Sequence, residues 1–84
     1  MTGNPILKSI YSDEYQRLLR LLVEARTSAK LTQSEVAARL VRPQSFVSKY
    51  ERGERRLDVV EYLRVSRAVG ADPFRLLKAL DWQS

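Results

Sequence analysis

Apolar residues recur along the chain at the three- and four-residue spacing of amphipathic helices, and no segment alternates as a strand does. A first helix is predicted to start near Ser12, a good N-cap that precedes two acidic residues. Its apolar face would be formed by Leu18, Leu22, Ala25 and Ala29. This pattern predicts a helical rather than a strand-based architecture for the start of the chain.

Helix-capping signals divide the next segment into two short helices. Thr32 and Glu35 have the spacing of a capping box, which predicts a second helix of about nine residues. Proline is tolerated only in the first turn of a helix, so Pro43 is predicted to open a third helix that runs to Arg52. Gly53 would end that helix as a left-handed cap.

The same signals predict two further helices. Asp58 and Glu61 form a second capping box, and the helix that they start would stop at Gly70. Asp72 and Pro73 then supply an N-cap and a first-turn proline for a fifth helix. The predicted apolar faces of these two helices comprise Val59, Tyr62, Leu63, Ser66, Val69, Phe74, Leu77 and Leu80. The chain is therefore predicted to be all-α, with residues 1–11 as a flexible tail and residues 12–84 as one domain.

Composition narrows the function classes. The 84 residues suffice for one domain, and they include neither cysteine nor histidine. Thiol nucleophiles, Cys-type zinc sites and histidine general bases are thereby excluded, so we expect no catalytic site, no metal and no cofactor. No apolar run approaches the ~20 residues of a membrane span, and the first eleven residues lack a signal-peptide core. We therefore expect a soluble, cytoplasmic protein without a membrane partner.

Positive charge is concentrated in the middle of the chain. The formal net charge is +5 and the isoelectric point is near 10.0. Residues 32–56 hold six basic and three acidic side chains, whereas residues 57–84 hold four of each. This distribution favours a polyanionic partner that meets the second and third helices.

The third helix has two chemically different faces when it is projected at 100° per residue. One face carries amide, hydroxyl and cationic groups, namely Gln44, Ser45, Ser48, Lys49 and Arg52. The opposite face comprises Phe46, Val47, Tyr50 and Glu51. Amides and cations can donate to base edges in the DNA major groove, although a solvated helix face is also polar.

These residues together resemble a known family. The segments 31–37 and 44–55 are similar to the helix-turn-helix signature of XRE, or lambda-repressor-like (Cro/C1-type), DNA-binding domains. The resemblance covers roughly residues 15–80. It implies a five-helix lambda-repressor-like domain whose second and third helices are the helix-turn-helix, with the third helix in the major groove.

The resemblance also implies roles for individual residues. The base-reading side chains would be Gln44, Ser45 and Lys49, and the phosphate-binding side chains would be Gln33, Ser48, Arg52, Arg55 and Arg56. Gln33 would in addition brace Gln44. Arg26 would form an internal, structural ion pair with Glu51.

The chain departs from the family pattern at three positions. Val41 stands where the turn often carries glycine, so its backbone would be either less left-handed or strained. Pro43 replaces a small N-cap residue and removes an amide that could have bound a phosphate. Phe46 is unusually bulky, and we expect it to pack at the edge of the core rather than contact thymine methyl groups.

The resulting hypothesis is a sequence-specific transcriptional regulator that binds double-stranded DNA as a homodimer on a palindromic operator. The candidate dimer contacts are Leu76, Leu80 and Trp82, with Tyr11 and Tyr15 as additions; packing within one chain is the alternative for them. An antitoxin with a toxin or other protein partner, or a phage or restriction-modification control protein, would share this fold. A different class remains open as well: a helical interaction module that does not bind DNA.

Overall fold

The computed structural model of the protein describes residues 12–81, which form five α-helices and, within that range, no strand. The helices are α1 (Asp13–Ser28), α2 (Gln33–Leu40), α3 (Gln44–Glu51), α4 (Val59–Ala68) and α5 (Pro73–Asp81). The predicted all-α, five-helix architecture is confirmed. Because Tyr11, Trp82 and the tail of residues 1–11 lie outside the described residues, the predictions on them stay predictions.

Helix starts follow the predicted caps. The Ser12 hydroxyl accepts a hydrogen bond from the Tyr15 amide at 3.1 Å. Both capping boxes are present, and the Asp72 carboxylate accepts from the Phe74 amide at 2.9 Å. The third helix differs by one residue at each end: Pro43 is its N-cap, with no side-chain cap, and Arg52 is its C-cap. Proline has no side-chain oxygen, so the first amides of this helix lack the cap that Ser12, Thr32 and Asp58 provide elsewhere.

One backbone pattern joins all five helices. At each of the four junctions a residue adopts a positive φ, and the next amide bonds back to a carbonyl five residues earlier, as in Schellman caps. The four residues are Lys30 (φ 60°), Val41 (φ 55°), Gly53 (φ 78°) and Gly70 (φ 78°). Glycine fits this conformation without strain, whereas lysine and valine carry a Cβ that opposes it.

Val41, in the turn between α2 and α3, is the most strained of these residues. Its φ of 55° and ψ of 49° are left-handed, and its branched side chain is 87% exposed. A β-branched residue in this region costs about 1–2 kcal/mol and here gains almost no burial in return. Of the two alternatives predicted for Val41, a less left-handed backbone or a strained one, the structure has the strained one, because the turn keeps its left-handed geometry.

We expect Val41→Gly to raise the free energy of unfolding by about 1 kcal/mol, because glycine removes the Cβ strain and loses only part of that gain to chain entropy. Urea denaturation of both proteins measures the difference. Val41→Ala is the matched control, since it removes the branch and keeps the Cβ; it should give a smaller gain. A destabilised glycine variant would contradict the assigned turn geometry.

The core is built from one cluster to which all five helices contribute. Its buried members are Tyr15, Leu18, Leu19, Leu22, Val36, Ala37, Phe46, Val47, Tyr50, Leu57, Tyr62, Val65, Ala68 and Val69, with Leu76 and Leu80 packed against them. Two tyrosine hydroxyls tie loops to this cluster. Tyr15 Oη accepts from the Leu57 amide at 3.1 Å, and Tyr62 Oη donates to the Pro73 carbonyl at 2.6 Å. These bonds fix α1 against the loop after α3 and α4 against the start of α5.

Some predicted apolar faces are wrong in part. Val59 is 75% exposed because it lies in the first turn of α4, whose neighbouring positions are also exposed. Ala29 is exposed beyond the end of α1. Phe74 and Leu77 face solvent whereas Leu80 packs inward, because positions three apart drift by about 60° around a helix and the three residues do not share one face.

Candidate nucleic-acid interface

The two faces predicted for α3 match its burial. Phe46, Val47 and Tyr50 are buried against the core, whereas Gln44, Ser45 and Lys49 are exposed. The exposed face also carries Arg52, with Ser48 half-buried beside it, and no carboxylate. This face can therefore donate hydrogen bonds and offer positive charge to a partner without an acidic side chain of its own.

The N-terminal ends of α2 and α3 are joined by side-chain hydrogen bonds around Gln44. Its Nε2 donates to Gln33 Oε1 at 3.4 Å, and its Oε1 accepts from the Ser34 hydroxyl at 3.2 Å. The predicted bracing contact between Gln33 and Gln44 is thus present. Because both ends of the Gln44 amide are held, its orientation is set before any partner binds.

Gln33 is held in turn by a mostly buried carboxylate, Glu51. Gln33 Nε2 donates to Glu51 Oε1 at 2.8 Å. Arg26 donates to both oxygens of Glu51, from Nε at 2.7 Å and from Nη2 at 3.1 Å, and its Nη1 bonds the Leu31 carbonyl at 2.9 Å. The predicted Arg26–Glu51 ion pair is confirmed. The hydrogen bonds that Arg26 donates to Glu51 raise the pKa of Arg26, so the guanidinium is kept charged.

These contacts form one continuous network, which we call the Glu51 network: Arg26, Glu51, Gln33, Gln44 and Ser34. It runs from α1 through the end of α3 to the exposed starts of α2 and α3. A structural ion pair thereby positions an exposed amide. Composition alone does not indicate this link, because its members are up to 25 residues apart in sequence.

A second cluster surrounds Phe46. The guanidinium groups of Arg42 and Arg55 lie 4.4 Å and 4.9 Å from the centre of the Phe46 ring. Both also bond Glu61, Arg42 at 3.2 Å and Arg55 through two nitrogens at 2.9 Å and 2.8 Å. The expectation that Phe46 packs at the core is confirmed, and its exposed edge is covered by cations rather than left open for DNA.

The structure changes the picture for the predicted phosphate-binding arginines. Both terminal nitrogens of Arg55 donate to Glu61, so this guanidinium would have to break or share those bonds to bind a phosphate. Arg52 pairs with Glu54 at 3.0 Å near the protein surface. The Arg56 guanidinium lies 4.7 Å from the centre of the Tyr15 ring. Sequence analysis missed these contacts, and it placed Glu61 only in a helix cap, where its carboxylate also accepts from the Asp58 amide.

We expect acid to weaken the Phe46 cluster in a defined pH range. Hydrogen bonds from Arg55 lower the pKa of the Glu61 carboxyl to about 2, from an ordinary value near 4.5. A lowered folded-state pKa stabilises the fold above pH 4.5, and this contribution disappears as the pH falls from about 4.5 to 2.

Glu61→Gln is therefore expected to cost about 1 kcal/mol at neutral pH, a modest value because this cluster lies near the surface. The cost should shrink below pH 4.5 and vanish near pH 2. Urea denaturation across this range measures it, with Glu54→Gln as a control for an exposed ion pair. A cost that stays constant with pH would contradict the role given to the Glu61 charge.

Residues 12–81 contain no group of three or more side chains able to hold a metal ion. None of the described helices is long and apolar enough to cross a membrane. The exposed start of α3 is the candidate site because it carries a restrained amide and no carboxylate, with the Glu51 network behind it.

Comparison with known proteins assigns this arrangement to a class: the chain belongs to the helix-turn-helix domain family, whose model matches residues 17–78. It is similar to a solved XRE-family like protein from Pseudomonas syringae pv. tomato str. DC3000. The two are 52% identical, with a TM-score of 0.87, over 96% of this chain and 99% of the other. A search of curated proteins found no match. The XRE-type assignment is confirmed, and α2 and α3 are the helix-turn-helix of a DNA-binding regulator.

Proposed function

We propose that this protein is a sequence-specific transcriptional regulator that binds double-stranded DNA as a homodimer on a palindromic operator. The observation that carries the proposal is the exposed Gln44 amide at the start of α3, held on both sides by Gln33 and Ser34. A fixed amide at the entry of a recognition helix can pair with one base edge and reject others. A solvated helix face would not need this restraint.

Three side chains are proposed to read bases: Gln44, Ser45 and Lys49. Glutamine can pair with adenine through both of its amide atoms, and lysine can donate to guanine. All three are exposed on the face of α3 that points away from the core. This arrangement supports direct readout of adjacent base pairs in the major groove.

The phosphate contacts are proposed for residues before, within and after the base-reading segment, namely Gln33, Ser48, Arg52, Arg55 and Arg56. Phosphate contacts set the register of a protein on DNA and add affinity that depends on salt. Arg55 enters this set with its charge largely offset by Glu61. Arg52 also pairs with a glutamate, Glu54, but both of those side chains are more than half exposed, so the pair is weak. We therefore expect Arg52→Ala to lower DNA affinity more than Arg55→Ala does.

A homodimer would supply the interface that one small domain lacks, with half-sites about 34 Å apart. Leu76 and Leu80, two of the candidate dimer contacts, pack partly against the core. Phe74 and Leu77 lie on the same helix and are 72% and 47% exposed. We therefore propose that Phe74 and Leu77 make the main dimer contact, with Leu76 and Leu80 supporting that helix from the core side; Trp82, the third candidate, lies outside the described residues.

Sedimentation at micromolar concentration, with and without duplex DNA, tests the dimer. We expect two chains per bound duplex, and we expect Phe74→Glu to weaken this pairing because it places a charge in an apolar contact. Arg75→Gln is the matched control, because it changes the net charge by the same one unit at the neighbouring exposed position. One chain per operator would overturn the dimer while leaving DNA binding by α3 intact.

Salt dependence tests the DNA partner itself. Binding through several phosphates predicts a steep, linear fall of log affinity with log salt concentration. Affinity that does not respond to salt would instead favour a helical interaction module. As a regulator of chromosomal DNA, the protein would work in the cytoplasm, and proteins of this family are typically regulators without enzymatic activity.

A further inference from the structure

A groove lies between α2 and α4, next to the helix-turn-helix. It measures about 530 Å³, and its lining residues are Arg39, Leu40, Arg64, Arg67 and Ala68. Three of these five side chains are guanidinium groups, and none is a carboxylate. A volume of this size accommodates several side chains of a partner.

The positive charge of this groove is not neutralised within the described part of the chain. Arg39 Nη1 donates to the Ala68 carbonyl at 2.8 Å, which fixes its guanidinium across the two helices while other nitrogens remain available. Arg64 and Arg67 bond to no side chain or carbonyl among residues 12–81. The adjoining cavity shares Leu40 and Arg64 and includes Glu61, whose charge is already met by arginines of the Phe46 cluster.

The base of the groove is apolar, since Leu40 and Ala68 lie between the arginines. A ligand that satisfies the whole groove must bring negative charge to the rim and apolar groups to the base. Arginines near the C-terminal ends of helices also interact favourably with the helix dipole, but that interaction alone does not account for the apolar residues between them.

The groove lies away from Gln33, the proposed phosphate contact on the same helix. Arg39 lies six residues after Gln33 in α2, which places it about 120° around the helix axis and about 9 Å along it. DNA phosphates would use the arginines and leave the apolar base without a partner. An acidic peptide with apolar side chains uses both features.

We propose that this groove binds an acidic, amphipathic segment of a partner protein, with carboxylates on Arg39, Arg64 and Arg67 and apolar side chains over Leu40 and Ala68. Guanidinium–carboxylate pairs with two hydrogen bonds would fix the orientation of the bound peptide as well as attract its charge. The surface would leave the exposed face of α3 free. A regulator bound to DNA can then hold a second protein at the same time.

The test is binding of a short fluorescein-labelled peptide composed of glutamate and leucine to the full chain, followed by fluorescence anisotropy. We expect Arg64→Gln/Arg67→Gln to weaken binding by about tenfold or more, because two charge-assisted contacts are lost. Arg20→Gln/Arg75→Gln removes the same charge at exposed positions outside the groove and should change affinity by less than about twofold. Equal losses in the two variants would show non-specific attraction and overturn the proposal.

Two further measurements distinguish peptide binding in this groove from two alternatives, binding of DNA and attraction by charge alone. Polyglutamate without leucine should bind about tenfold more weakly than the mixed peptide, since it cannot fill the apolar base. Arg64→Gln/Arg67→Gln should bind duplex DNA as the Arg20→Gln/Arg75→Gln control does. A greater loss of DNA affinity than in the control would assign the groove to the DNA interface instead. Equal binding of both peptides would show that Leu40 and Ala68, the apolar residues of the groove, do not contribute to binding.

Discussion

Replacing Glu51 with alanine is expected to lower the free energy of unfolding by about 3 kcal/mol, a large part of the roughly 5–10 kcal/mol that stabilises a domain of this size. The Arg26 and Glu51 side chains are only 15% and 7% exposed. Removing the carboxylate would leave a mostly buried guanidinium without its counter-charge and would release the Gln33 amide as well. Urea denaturation at neutral pH measures this cost.

Glu54→Ala is the matched control, because Glu54 also pairs with an arginine but the two side chains are 59% and 55% exposed. Exposed ion pairs contribute little, so this variant should change stability by less than about 0.5 kcal/mol. Similar losses for Glu51→Ala and Glu54→Ala would mean that the Glu51 network does not have the structural role given to it here.

Gln44→Ala is expected to weaken binding to the selected operator by about 1–3 kcal/mol, and to do so at one base position rather than uniformly. The reason is that a restrained amide discriminates between base edges, and alanine cannot. Affinities for the operator and for its single-base variants measure both effects. After the substitution, the operator and the variant at that position should bind equally well.

Arg52→Ala provides the contrast for Gln44→Ala. As a proposed phosphate contact, Arg52 should add affinity to all sequences alike, and its loss should lower the salt slope by about one. If Gln44→Ala also weakened all duplexes equally, the amide would be a general contact and the base-reading role assigned to α3 would be wrong.

The limits of the helices were predictable because their signals are local. Serine, threonine and aspartate caps and two capping boxes each act within four residues, and all of them are present in the structure. Local signals also have a boundary of validity. At Val41 the local sequence left two outcomes open, a relaxed turn or a strained one. The turn keeps its left-handed backbone although a valine is present.

The candidate site was predictable on α3 but not in its supporting contacts. Hydrophobic periodicity separates the exposed Gln44 and Lys49 from the buried Phe46 because one helix determines both faces. The pairing of Arg55 with Glu61 depends on how the loop after α3 meets α4, and periodicity carries no information about it. Periodicity also does not distinguish Leu76, which packs partly against the core, from its exposed neighbour Leu77.

The central claim is that the exposed face of α3 reads a DNA sequence. Selection of bound duplexes from a random pool tests it most directly, with the full chain and Gln44→Ala run in parallel. The account predicts an enriched, two-fold symmetric motif with half-sites about one helical turn apart, and loss of preference at one position of each half-site in the variant. A pool that shows no enrichment over the input sequences would contradict it.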